Sequence, residues 1–92
     1  MHIEARRWFQ KSCGNTYHSV RIFENGEQIG FIPFEYGYGQ HWETTALKWL
    51  ESKGYVTVEY NSRGARVIPM WKIFQSESIS LSCVDVERKR DM

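Results

Sequence analysis

The residues best suited to binding chemistry lie in one short segment, Tyr36-Gly37-Tyr38-Gly39-Gln40-His41. Two glycines let a ligand approach the main chain, and two tyrosines offer rings for stacking. A helix is expected to begin at about residue 41, and a helix start carries unpaired N–H groups and partial positive charge. Tyr36, Gly37, Tyr38, Gly39 and His41 are therefore the candidate ligand-binding residues, and a phosphate-bearing ligand suits them. The segment has no GK[ST] and is too short for a dinucleotide fingerprint. The competing reading is a tight turn whose tyrosines pack on the core.

A second candidate is a surface. On alternating strands, Trp8, Tyr17, Arg21 and Phe23 fall on the face opposite the apolar residues. If a helix covers only one side of the sheet, these residues form an aromatic patch for a protein partner or a second copy. The competing reading is that the C-terminal strands cover them. Arg6, Arg7, Arg21, Arg63 and Arg66 beside such rings also raise single-stranded nucleic-acid binding.

Catalytic and metal chemistry find no constellation. His18 shares a strand face with Val20 and Ile22 and reads as a hydrogen-bonded structural histidine. Tyr17-His18-Ser19 lacks a third orienting group, and His41 and Glu43 diverge on a helix. Glu35, Glu43, Glu51 and Glu59 are evenly spread, with no DxD or ExxH. Cys13 and Cys83 sit in no CxxC pair and are expected as free thiols. The chain thus reads as non-enzymatic, with no cofactor and no metal.

The elements that must position these residues follow from the patterning. Residues 2–10, 16–24 and about 27–34 alternate as strands, and Asn25-Gly26 between the last two supplies a type I′ hairpin turn. Ile29, Phe31 and Pro33 are expected on one face of the third strand, opposed to Ile32 and Phe34. Pro33 places that strand at an edge or ends it. Trp42, Ala46, Trp49 and Leu50 recur at helical spacing, with Leu47 at the margin, so a helix is expected over 41–53 and capped by Gly54. Residues 55–60 read as a strand and 65–68 as a short return strand. Residues 70–75 are open between helix and strand, and 79–87 alternate as a last strand. The expectation is an α+β domain over 1–87: an antiparallel sheet of four to six strands, order β-β-β-α-β-(β)-β, with one main helix on one face. Residues 88–92 are expected as a basic solvated tail.

Ninety-two residues allow one domain, and 14 of them are Trp, Tyr or Phe. A net charge of +1 makes duplex DNA an unsuitable partner. No apolar run is long enough for a membrane span and no secretion signal is visible, so a cytoplasmic location is expected. A small chain gains core by pairing, which adds a homodimer to the expectations.

Trp8-Phe9-Gln10-Lys11, the GNTYHSV segment (residues 14–20), the Asn25-Gly26 hairpin and Tyr36-Gly37-Tyr38-Gly39 before a helix ending in Gly54-Tyr55 resemble a group of small proteins encoded by tailed bacteriophages and mobile elements. The resemblance covers about half the chain and brings no activity or site with it. It implies an accessory protein acting in an infected bacterium. Sequestration of a nucleotide-type ligand at the YGYG loop, as a host-defence antagonist, is the first function expected. Inhibition of a host nuclease or CRISPR-type effector through the aromatic face is the alternative, and single-stranded nucleic-acid binding the second.

Overall fold

The computed structural model describes residues 1–92. Three strands lead the chain: β1 (His2–Gln10), β2 (Asn15–Glu24) and β3 (Glu27–Tyr36). Helix α1 (His41–Ser52) and the short helix α2 (Met70–Ser76) follow, then β4 (Ser80–Val86) and a 3₁₀ turn at Lys89–Asp91. No helix is long and apolar enough to cross a membrane.

Asn25 (φ 53°) and Gly26 (φ 81°) take the two left-handed positions that a tight hairpin needs. β2 runs antiparallel to both β1 and β3, as the short turns require. The sheet as a whole is not antiparallel. Its order is β3-β2-β1-β4, and β4 lies parallel to β1, with Ala5 opposite Cys83. A parallel neighbour requires a long crossover. Residues 37–79, with both helices, supply it, and Ser80 N–H donates to the Met1 carbonyl at 3.0 Å where β4 enters beside the chain start.

The expected strands over 55–60 and 65–68 do not form. The Asn61–Gly64 turn is present, with Asn61 Oδ1 accepting from the N–H groups of Arg63 and Ala65. Its arms meet in a single bridge, Tyr60 to Arg66, and join no sheet. Residues 70–76 resolve as helix α2.

The core lies between the sheet and the helices. Ile3 and Ala5 of β1 and Val20 and Ile22 of β2 meet Trp42, Ala46, Leu47 and Leu50 of α1 and Ile73 and Phe74 of α2. The helix stripe is rotated from the one expected: Leu47 is buried, whereas Trp49 is half-buried at the edge, stacked on Tyr55 at 5.7 Å. Trp49 also lies flat against Gly30, where any Cβ would fall on its ring. Gly54 closes α1 at φ +80°, with Tyr55 N–H returning to the Leu50 carbonyl.

β3 is an edge strand, as Pro33 requires, and continues past it to Tyr36. Its pairing with β2 slips twice: His18 faces Glu35 while Val20 faces Ile32, and Ile22 faces Gly30 while Phe23 faces Gln28. Each slip adds one residue to β3, a bulge, and reverses the alternation. The first slip corrects the expected facing. It puts Phe31 and Phe34 on one face, and the second slip lets Ile29 and Ile32 both pack on the core.

Candidate functional site

The YGYG loop is built from β1, β2 and α1 together. Gly37 N–H donates to the Thr16 carbonyl at 3.0 Å, ending the β2–β3 ladder. Gly37 (φ +155°) packs against His41 so closely that any Cβ would enter the imidazole. Gly39 (φ +62°) has open space around it, and its carbonyl accepts from Arg7 Nη1 at 2.8 Å. Arg7 also pairs with Asp85 at 2.8 Å, so one guanidinium ties β1, β4 and the loop.

Behind the loop, His18 is completely buried. Its Nδ1 lies 3.3 Å from the Gly37 carbonyl and its Nε2 2.7 Å from Thr45 Oγ1. A carbonyl only accepts, so Nδ1 carries the proton and the neutral ring's Nε2 accepts from the Thr45 hydroxyl. Burial is the main cause holding the His18 pKa below its ordinary value, and His41, 5.7 Å away ring to ring, adds to it. His18 is thus a strut between loop and helix.

In front of the loop, Tyr36, Gly37, Tyr38, Gln40, His41 and Thr44 line an open hollow of about 450 Å³. The tyrosines do not pack on the core: Tyr36 is 60% and Tyr38 75% exposed. The helix start is less free than expected. His41 N–H donates to the Tyr38 carbonyl and Glu43 N–H to the Gln40 carbonyl. Glu43 stands in the first turn, where its carboxylate competes with any anion for the helix dipole.

The opposite sheet face carries the larger assembly. The β1–β2 register sets Trp8 against Tyr17, Arg6 against Ser19, Glu4 against Arg21 and His2 against Phe23, one series on one face. Tyr17 stacks on Trp8 of β1 (5.8 Å) and on Phe34 of β3 (4.6 Å), and meets Tyr36 edge-on at 5.7 Å. Both faces of the Tyr17 ring are therefore occupied by neighbours. Arg21 lies over the Phe31 ring at 4.7 Å and Lys89 over Phe34 at 4.9 Å. Phe23 shares the face but not the row, since it stands six residues from Tyr17, about 20 Å along the strand. Phe31, Phe34 and Lys89 join the patch without having been expected there, because a bulge and the C-terminal turn bring them to it. β4 extends the sheet sideways at β1, so the C-terminal strand does not cover the rings.

The chain end contributes to this face. Arg6 Nη1 donates to the Asp91 carbonyl and Arg21 Nη2 to the Met92 main-chain oxygen, each at 3.0 Å. Burial, then the neighbouring Arg6, depresses the Arg21 pKa. Arg6 also pairs with Glu4 at 3.0 Å. No group of three or more His, Cys, Asp or Glu side chains is gathered that could hold a metal ion. Cys13 and Cys83 are both free thiols, and burial pushes that of Cys83 up.

No family model, no curated protein and no solved structure matches the chain.

Proposed function

We propose that this chain is a non-enzymatic accessory protein of the phage type that works by docking its outer sheet face on a protein of the host cell, as an inhibitor of a nuclease or effector would. The observation that carries this reading is the ring row Trp8–Tyr17–Phe34 with Tyr36 at its end, on a face that β4 leaves open. Exposed aromatics beside arginines are the composition of protein contact centres. Base stacking needs free ring faces. The faces of Tyr17 are taken by its neighbours and Lys89 lies over Phe34, which favours a protein over a single-stranded nucleic acid. The test is affinity capture from host lysate with the wild type and with Tyr36→Ala and Phe31→Ser, two exposed positions. A protein retained by the wild type and lost with both variants supports the reading; identical capture by all three removes it.

A second reading has one observation in its favour, the exposed Tyr38 beside the loop hollow. It assigns Tyr36, Gly37, Tyr38, Gly39 and His41 to a nucleotide or other phosphate-bearing ligand. Calorimetry with ATP and with inorganic phosphate tests it. Binding lost in Tyr38→Ala at unchanged melting temperature supports it, and absence of heat with the wild type removes it.

A further inference from the structure

β4 is the second edge of the sheet, and its sequence does nothing to blunt it. β3, at the other edge, carries two bulges and a proline, devices that keep an exposed edge from pairing. β4 (Ser80–Val86) has no proline, and its register with β1 runs without a slip from His2–Ser80 to Trp8–Val86. Its one charge, Asp85, is engaged by Arg7. Ser80 N–H donates to the Met1 carbonyl, which fixes the sense of the ladder. In a parallel pair alternate residues turn N–H and C=O to the neighbouring strand, and the residues between them turn both away. Ser80, Ser82, Val84 and Val86 thus face β1 with their main chain. Leu81, Cys83 and Asp85 present their N–H and C=O groups to the outside, and no hydrogen bond beyond the ladder reaches any of these groups. Val84, on the outer face opposite Arg6, is 53% exposed. The C-terminal turn leads back over β1 and β2, where Arg6 and Arg21 hold it, and so leaves this edge open.

We infer that β4 receives an extended segment of the protein partner, which adds a strand to the sheet and sets an apolar side chain beside Val84. This rests on the reading of the chain as a protein-docking module, and it names the form that one of the partner's contacts takes. Outward N–H and C=O groups on alternate residues, about 7 Å apart, are matched by the main chain of another strand. A helix has already used its own N–H and C=O groups internally and cannot answer them. A second copy of the chain fits less well. Paired antiparallel about Cys83, each copy would set its Asp85 carboxylate beside Leu81 of the other, and Leu81 packs against the core. That costs desolvation of a charge, which a segment with an apolar or hydroxyl side chain at this place avoids.

Amide hydrogen exchange read by NMR tests this, with a peptide of about nine alternating valine and threonine residues as the probe. In the free protein the amides of Leu81, Cys83 and Asp85 exchange fast beside slow Ser82 and Val84. With the peptide in excess they slow about tenfold, and a valine–proline peptide of the same length, which lacks alternate N–H donors, gives no protection. Cys83→Pro removes one outward donor while leaving the β1 ladder intact, and it weakens the peptide about tenfold. Cys83→Ala, which keeps the N–H, binds as the wild type does. Val84→Lys, at an exposed position, puts a charge beside the incoming strand and weakens it likewise, so the result does not depend on the proline variant alone. Circular dichroism melts establish that each variant is folded. Slow exchange of the three amides in the free protein, no protection by the valine–threonine peptide, or equal binding of both peptides overturns the inference. A dimer in light scattering that Cys83→Pro abolishes overturns it in favour of a second copy. The parent reading fails separately: lysate capture that needs Tyr36 and Phe31 but survives Cys83→Pro and Val84→Lys leaves the docking face standing and removes only the added strand.

Discussion

Gly37 shows how one missing side chain holds a loop. Its hydrogen atom, where other residues carry Cβ, is what lets the His41 ring close over the strand end. Gly37→Ala should cost about 1–3 kcal/mol, from a positive φ and a forced displacement of the imidazole. His41→Ala removes half of that conflict. In a double-mutant cycle read by urea denaturation, the pair should lose less than the sum of the singles, because the two changes share one contact. Additive losses would mean that backbone strain alone sets the cost. His18, behind the same loop, adds a pH dependence. Its folded pKa is depressed by burial, so protonation costs more folded than unfolded. The stability held by the neutral ring is full above the unfolded pKa of about 6.5 and falls as pH drops through it. The urea midpoint should therefore decline between pH 7.5 and 5, and the decline should flatten in His18→Gln. The sequence made His18 recognisable as a structural histidine from its apolar neighbours Val20 and Ile22. Its partners Gly37 and Thr45 were not legible, since they lie 19 and 27 residues away.

At the scale of elements, local signals carried the first half of the chain. Asn25-Gly26 needs no tertiary help to make its turn, and the helical stripe from Trp42 to Leu50 with Gly54 behind it defines α1 by itself. The second half depends on partners. Residues 55–60 alternate well, but alternation yields a strand only where an edge is offered, and here α1 leads the chain away from the sheet. The bulges in β3 were illegible for the same reason, because they exist in the pairing and not in the sequence. They still decide the site. The residue inserted around Pro33 is what turns Phe34 and Tyr36 outward while Phe31 keeps the same face. Deleting Pro33 takes out the inserted residue and leaves Phe31, Phe34 and Tyr36 outward and Ile32 inward on a regular ladder. The near-ultraviolet aromatic dichroism of the row should therefore survive the deletion, at a stability change within about 1 kcal/mol. Loss of that signal would show that the bulge itself, and not the alternation, places the rings.

The whole molecule measures 40 × 35 × 18 Å, and 18 Å is the thickness of one sheet and one helix layer. No third sheet or helix layer covers the outer face and only the C-terminal turn lies over part of it, so the aromatic residues that make up a large share of this small chain are divided between a core and a surface. Charge is divided as well. A net +1 conceals a face where Arg6, Arg21 and Lys89 gather around rings. The expected homodimer drew on Pro33 near an edge and on this face. Both now argue for a monomer. An isologous pair with its axis through Arg21 would set the Arg21 of one copy against that of the other, with Glu4 already engaged on Arg6. Pairing through β3 would meet a strand with two bulges and a proline in place of a donor. Light scattering near 0.15 M salt should thus give one chain, 10.9 kDa, at high protein concentration. A dimer strengthened by added salt and abolished by Arg21→Glu would instead make self-association, with its charge repulsion screened, the use of this face.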